Sequence, residues 1–222
     1  MPRLLLLILM ISGTCALAPN TNNGVLRAQK ILDLDRAEPT FYFDQGGVAI
    51  SKQKFNRLFR SNRQEYTYGD SATVRRLVAR VTEGRLEGRS AFLRSLAEGI
   101  GRPVRDDQPT VIVFYPGFDE CNSTGTSDRY LIKQWHDEME EKLLEIADVK
   151  PLYLYKDNYG LRKYYNIINW LEDPDQLVEK RFFRYHYPCR SFVVIGVDGR
   201  YQSYFGGFSQ DRIVEAARAV LD

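Results

Sequence analysis

Residues 110–222 are predicted to form an α/β fold in which strands and helices follow the order βαβαββα. Three observations predict it. Three apolar runs have the length of a strand, the segments between them carry apolar residues at helical spacing, and an Asp-Gly pair near the end is typical of a tight turn. Continuous apolar runs of this kind indicate strands that are covered on both faces.

The first strand is predicted at residues 110–115 (TVIVFY), which end at Pro116-Gly117. Ser127 is then predicted to cap a helix that ends near Asp148. The apolar positions of this helix recur every three or four residues, which indicates one buried face. They are Leu131, Trp135, Met139, Leu143 and Ile146.

The second strand is predicted at residues 151–155 (PLYLY) and the third at residues 191–195 (SFVVI). Between them, residues 159–183 are predicted to be helical in parts, with an interruption at Asp173-Pro174. Strands that alternate with helices are typical of parallel pairing. We therefore expect the first three strands to run parallel.

The turn at Asp198-Gly199 is predicted to lead into a fourth strand, residues 201–205, which adds to the sheet in the antiparallel direction. Ser209 is predicted to cap the last helix. The inward positions of that helix are Ile213, Ala216, Ala217 and Val220.

The front half is predicted to be a β-hairpin at residues 40–50 followed by three helices. The first helix follows Ser51, the second begins near Asp70-Ser71, and the third follows Gly88. The second helix is predicted from four apolar residues at helical spacing. We expect this apolar face to be covered by the back half of the chain. The four residues are Val74, Leu77, Val78 and Val81.

These patterns predict three parts of the chain. Residues 1–18 are a signal peptide, residues 19–108 are a hairpin-and-helix extension, and residues 109–222 are the α/β domain. The charged, proline-bounded segment 102–109 is the predicted boundary between the last two.

Composition excludes several classes of protein. Of the 222 residues, 44% are hydrophobic and 27% are charged, which excludes a disordered chain. Beyond the first twenty residues, no apolar run is long enough to cross a bilayer. The net charge of +2 divides into +1 for residues 1–18, +5 for residues 19–108 and −4 for residues 109–222. Because the arginines of the basic half are interspersed with acids, we expect no nucleic-acid partner.

The first residues have the order of a secretory signal: Arg3, an apolar run over residues 4–11, and small residues up to Ala16. The sequence therefore predicts a secreted or periplasmic protein. An alternative is a lipoprotein whose anchor is attached at Cys15. The mature chain keeps Cys121 and Cys189, and an even pair of cysteines in an oxidising compartment indicates a disulfide.

Two segments carry a family resemblance. The segment VIVFYPGFDEC, which ends at Cys121, resembles the first strand and active-site loop of the thioredoxin-like superfamily, which includes thioredoxins and peroxiredoxins. The segment RSFVVIGVDGRYQSYFGG, which begins at Arg190, resembles the last two strands of the same fold. The resemblance covers about half of the chain. It departs from both families at the motif, because there is no Cys-x-x-Cys and Phe118 stands where peroxiredoxins carry a threonine.

The resemblance implies that the loops of Cys121 and Cys189 are neighbours at the carboxyl edge of the sheet. It also places Arg190 at or beside the position where thioredoxins have a cis-proline and peroxiredoxins an arginine. Pro188 does not match that position. An arginine beside a thiol favours the thiolate, so we expect Arg190 to lower the pKa of Cys121.

Two functions stay open. In the first, Cys121 is a redox nucleophile with Cys189 as its resolving partner and Arg190 in support, acting on a protein thiol or disulfide or on a small peroxide. In the second, the domain is a redox-inactive adaptor or binding module with a structural disulfide and with Arg190 paired to Asp119 or Glu120. Neither function requires a cofactor or a metal.

The two histidines, His136 and His186, lack the cysteine or carboxylate spacing of a zinc site. We expect both to be partly exposed structural residues.

Overall fold

A computed structural model describes residues 25–30, 41–63, 65–69, 73–123 and 125–221. The predicted signal peptide and Cys15 lie outside these residues. In the described part of the chain, no helix has the length and apolar character needed to span a bilayer.

The front half forms a small sheet. Its strand order is β2-β1-β4-β3, with β1 parallel to β4 and the other pairs antiparallel. Helix α1 packs against it through Phe55, and Ser51 caps that helix by accepting a hydrogen bond from Lys54 N–H at 3.2 Å, as predicted. The elements are β1 Phe41–Phe43, β2 Ala49–Ile50, α1 Lys52–Ser61, β3 Tyr66–Gly69 and β4 Val74–Ala79.

The predicted second helix is wrong. Val74, Leu77 and Val78 lie in strand β4, and Val81 begins strand β5, Val81–Arg85. A short apolar spacing fits either a helix or a strand, and here β-branched residues and pairing partners on both sides of β4 favour the strand. The predicted extension is therefore a hairpin enlarged to a four-stranded sheet, with two helices rather than three after the hairpin among the residues described.

The back half is organised around a six-stranded sheet with the order β5-β10-β9-β6-β7-β8. The two faces of the sheet are covered by different helices: α4 and α6 on one, α2 and α5 on the other. The elements are α2 Arg89–Ile100, β6 Thr110–Tyr115, α3 Glu120–Ser123, α4 Arg129–Ala147, β7 Leu152–Tyr155, β8 Trp170–Glu172, α5 Leu177–Phe182, β9 Ser191–Ile195, β10 Arg200–Tyr204 and α6 Gln210–Leu221, with 3₁₀ turns at Leu161–Tyr164 and Pro174–Gln176.

One prediction about this sheet is wrong. Strand β9 runs antiparallel to β6, with Phe114 opposite Ser191 and Val111 opposite Val194, although β6 and β7 are parallel as expected. The chain between β7 and β9 is not a simple crossover, because it adds β8 parallel to β7 at the sheet edge and then enters β9 from the end where β8 stops. The order β10-β9-β6-β7 with β9 antiparallel is a thioredoxin-like fold.

The extension docks on this domain, as expected. Strand β5 pairs antiparallel with β10, and Leu96 of α2 lies fully buried in the core cluster that contains Ile112 and Phe182. The predicted boundary at 102–109 therefore connects two elements, α2 and β6, that pack in the same hydrophobic core. Arg89 secures that segment by donating hydrogen bonds to the Asp106 carboxylate and backbone carbonyl.

Candidate functional site

The two cysteines meet at the carboxyl edge of β6. Cys121 lies in the short helix α3, six residues after the end of β6, and Cys189 lies two residues before β9. Their Cα atoms are 5.2 Å apart and their sulfurs form a disulfide, so the predicted pairing is confirmed. The antiparallel direction of β9 is what brings its first residue to this edge. Cys121 is exposed and Cys189 is half-buried.

Asp119 connects the two cysteine loops a second time. Its carboxylate is only 3% exposed. One oxygen, Oδ2, accepts a hydrogen bond from the backbone N–H of Cys189 at 3.0 Å, and the other, Oδ1, accepts from the backbone N–H of Asn122 at 2.8 Å. A buried carboxylate needs such donors. The loop of Cys189 is therefore held to the loop of Cys121 independently of the sulfur–sulfur bond.

The Cys121 loop is also fixed from within. Asn122 Oδ1 accepts from the backbone N–H of Asp119 at 3.1 Å, and Asn122 Nδ2 donates to the Gly117 carbonyl at 2.6 Å. Beneath it, the Tyr115 hydroxyl donates to the Tyr159 carbonyl at 2.9 Å. Burial, with a further contribution from Asp119, raises the pKa of Tyr115 above its usual range, so this hydroxyl stays protonated. The loop that carries Cys121 is thus internally hydrogen-bonded.

Cys189 has an unusual backbone conformation. Its φ is +69°, in the left-handed region that a side chain with a Cβ disfavours. Gly207 lies directly beside it, where a Cβ would come within 3.3 Å of the Cys189 sulfur. Cys189 is therefore bonded to Cys121 in a backbone conformation that is unfavourable for a residue other than glycine.

The front-half sheet lies beside Cys121. Tyr68 of β3 and Arg75 of β4 line a small cavity of about 30 Å³ together with Cys121 and His186. His186 Nε2 is 3.4 Å from Asp119 Oδ2. His186 is partly exposed, as predicted.

Arg190 lies directly before β9, and its side chain contacts His136 and Trp135. Its guanidinium NH1 donates to Nε2 of His136 at 3.0 Å, and its Cζ is 5.0 Å from the centre of the Trp135 ring. It lines a different cavity from the one that borders Cys121. The adaptor hypothesis pairs Arg190 with Asp119 or Glu120, and neither pair is among the salt bridges of the described residues; Asp119 accepts instead from the backbone N–H groups of Cys189 and Asn122. The effect of Arg190 on the pKa of Cys121 stays a prediction.

His136 is buried rather than partly exposed, with 2% of its surface accessible. Its Nδ1 is 2.8 Å from the Ile132 carbonyl and therefore carries the proton, which leaves Nε2 to accept from Arg190. Burial, together with the charge of Arg190, lowers the pKa of His136 to about 4. Among the residues described there is no group of three histidine, cysteine or acidic residues placed to hold a metal ion.

Comparisons with known proteins add little to this geometry. No protein-family model and no curated protein matches the sequence. Among solved structures, the chain is similar to a secreted Mycobacterium tuberculosis disulfide oxidoreductase homologous to E. coli DsbE, with 14% identity and a TM-score of 0.30. The alignment covers 51% of this chain and 82% of that chain. We base the fold on the strand order and pairing described above.

Sequence reasoning did not find Asp119 as the residue that joins the two loops. A signal was present, because an acidic residue two positions before a cysteine in a tight loop is well placed to accept backbone N–H groups. Nothing local to the sequence indicates that Cys189, 68 positions beyond Cys121, provides one of those groups.

Proposed function

We propose that this protein is a thiol–disulfide oxidoreductase whose redox centre is the Cys121–Cys189 disulfide. The observation that carries the proposal is the exposure of Cys121 at the open edge of the sheet, within a bonded pair. A disulfide that serves only to stabilise a fold has no need of an accessible sulfur, whereas exchange requires an incoming thiolate to reach one.

The proposed reaction is a two-step exchange with a partner dithiol. A partner thiolate attacks the sulfur of Cys121, the more exposed of the two cysteines, the bond between Cys121 and Cys189 breaks, and Cys189 leaves as a thiolate that takes up a proton. A second partner thiolate then attacks the partner sulfur of the mixed disulfide and releases Cys121 as a thiolate, which also takes up a proton. The partner is oxidised to a disulfide and the protein gains two electrons and two protons. The reverse sequence reduces a partner disulfide.

Asp119 supports this cycle as a positioning residue. In the reduced protein its hydrogen bond to the Cys189 N–H keeps the resolving thiol beside Cys121, which raises the effective concentration of one thiol at the other. The internally bonded loop around Asn122 serves the same purpose on the other side. A half-buried Cys189 is suited to resolve a mixed disulfide rather than to form one.

We further propose that the protein acts outside the cytoplasm, on protein thiols. The support is the signal-like order of residues 1–18 and the disulfide itself, since such bonds persist in oxidising compartments. Whether Cys15 carries a lipid is a separate proposal, which mass spectrometry of the mature N-terminus tests.

Trapping a mixed disulfide tests the function. The Cys189→Ser variant, incubated with a disulfide-bonded peptide, is expected to form a stable adduct at Cys121 that mass spectrometry detects. Cys121→Ser is the matched control, and its half-buried Cys189 is expected to react at least about tenfold more slowly. The proposal is wrong if neither folded variant forms an adduct and the disulfide of the folded wild type does not exchange with a dithiol peptide. In that case the protein is an adaptor with a structural disulfide.

A further inference from the structure

A cavity of about 420 Å³ lies beside the first turns of α4, apart from the disulfide. Two cations line it, Arg190 directly before β9 and Lys163 in the 3₁₀ turn Leu161–Tyr164. Its apolar wall comes from Leu131, Trp135 and Tyr164. The volume is within the range of sites for small molecules.

The two cations face the same aromatic ring. Lys163 Nζ is 5.5 Å and Arg190 Cζ is 5.9 Å from the centre of the Tyr164 ring. Within the described part of the chain, neither cation forms a salt bridge with a carboxylate: Lys163 donates to the Asn122 carbonyl at 3.2 Å and Arg190 to His136. Two like charges that line one cavity and are not paired with a carboxylate repel each other, and an anion placed between them would reduce that repulsion.

Neighbouring groups leave the positive charge in place. His136 is neutral, because its Nε2 accepts from Arg190 and its Nδ1 faces a carbonyl. Glu138 also lines the cavity and is negatively charged, but its two carboxylate oxygens accept from the amides of Gln134 at 2.8 Å and Gln210 at 3.1 Å rather than from Arg190 or Lys163, so the two cations leave the cavity with a net positive charge. The Arg190 Cζ also lies 5.0 Å from the centre of the Trp135 ring, which is within the distance of a cation–π interaction.

We propose that this cavity is a binding site for a small carboxylate with an aromatic or apolar body. The carboxylate lies between Arg190 and Lys163, where charge-assisted hydrogen bonds hold it, and the apolar body packs against Trp135 and Leu131. The site is distinct from the disulfide exchange and does not depend on it. The same chemistry is presented by a free aromatic acid and by the C-terminal carboxylate of a peptide that ends in an aromatic residue.

Isothermal titration calorimetry of the full chain with phenylacetate tests the proposal. We expect saturable binding with a Kd of about 1 mM or below. The neutral analogue 2-phenylethanol and the ring-free anion acetate are each expected to bind at least about tenfold more weakly, because each lacks one half of the recognition. The titration is repeated on Cys121→Ser protein, so that a failure of the redox proposal does not affect the result.

Lys163→Gln is expected to weaken phenylacetate binding at least about tenfold. Lys133→Gln is the matched control, since Lys133 lies on α4 outside the cavity and pairs with Asp137 at 2.5 Å, and it is expected to bind like the wild type. Circular dichroism of both variants establishes that they are folded. If Lys163→Gln is unfolded, Lys163→Arg, which retains the charge, is expected to bind within about threefold of the wild type.

One further probe, N-acetylphenylalanine, identifies the source of the carboxylate. Tighter binding of N-acetylphenylalanine than of phenylacetate assigns the site to a peptide C-terminus, and the reverse order assigns it to a free acid. The proposal is overturned if phenylacetate shows no saturable binding at about 10 mM, if 2-phenylethanol binds equally well, or if Lys163→Gln binds as the wild type does.

Discussion

The Asp119 carboxylate accepts a hydrogen bond from the backbone N–H of Cys189, with 3.0 Å between Oδ2 and the nitrogen. This contact joins the same two loops as the disulfide and does not require it. A redox centre that opens and closes needs such a second connection, because otherwise reduction would let the resolving thiol move away.

Removing this connection is expected to make the disulfide easier to reduce. In Asp119→Ala the effective concentration of Cys189 at Cys121 falls about tenfold, which corresponds to a rise of about 30 mV in reduction potential. The free energy of unfolding is also expected to fall by about 2 kcal/mol, since a buried hydrogen bond to a charged group is lost. Equilibration with dithiothreitol and urea unfolding measure the two effects.

Asp137→Ala is the control for Asp119→Ala, because Asp137 is half-exposed and pairs with Lys133 on the same helix. Its stability is expected to change by less than about 0.5 kcal/mol, with no change in potential. An unchanged potential in Asp119→Ala would show that the hydrogen bond does not position the thiols.

Because the backbone of Cys189 is left-handed, glycine and alanine variants are expected to have opposite orders of stability at positions 189 and 121. At φ +69° glycine is less strained than alanine, so Cys189→Gly is expected to be about 1 kcal/mol more stable than Cys189→Ala. Cys121 lies within helix α3, where alanine is the better residue, so Cys121→Ala is expected to be more stable than Cys121→Gly. Urea unfolding of the four variants tests this, and the same order at both positions would contradict it.

The buried His136 is expected to make the folded protein less stable in mild acid. Burial and the charge of Arg190 lower the pKa of His136 to about 4, whereas in the unfolded chain the pKa is about 6.5. Between these values the unfolded state binds a proton that the folded state does not. The free energy of unfolding is therefore expected to be fully retained above about pH 6.5 and to fall by roughly 3 kcal/mol as the pH decreases to about 4.

The chain has two histidines, so the contribution of His136 can be isolated. Denaturant unfolding at pH 7.5 and at pH 4.5 measures the change. His186→Gln is expected to keep most of this pH dependence and His136→Gln to lose most of it. A wild-type dependence that survives in His136→Gln would assign it to other groups.

The two halves are expected to resist separation by protease. Strand β5 is hydrogen-bonded along β10, and the Leu96 side chain is fully buried in the core of the main sheet. Limited trypsin digestion followed by mass spectrometry is therefore expected to yield no stable fragment that begins near residue 104. A folded fragment with that N-terminus would show that the front half is an independent domain.

The sequence predicted the strands of the back half well and their directions incompletely. Continuous apolar runs such as residues 110–115 indicate burial on both faces, and the alternate residues Ile112 and Val113 do enter opposite cores. Alternation of strands and helices does not reveal where each connection ends. The direction of β9 depends on the return of the chain after β8, a three-residue edge strand with no distinct pattern.

Helix α4 illustrates a second limit. The predicted inward stripe included Leu131, whose side chain is 49% exposed, whereas the neighbouring Ile132 and His136 are buried. Stripes displaced by one residue have the same helical spacing, and only packing against the sheet selects between them. The contact between His136 and Arg190 follows from that rotation and therefore could not be predicted from the sequence.

The reduction potential of the Cys121–Cys189 pair decides most directly whether this disulfide is redox-active or structural. Purified protein is equilibrated in thiol–disulfide buffers of graded potential, the free thiols are alkylated and counted, and tryptophan fluorescence confirms that the protein stays folded. We expect a reversible two-electron transition of the folded protein above about −300 mV. A pair that remains oxidised well below that value, or that is reduced only when the protein unfolds, would contradict it and leave the disulfide a structural one.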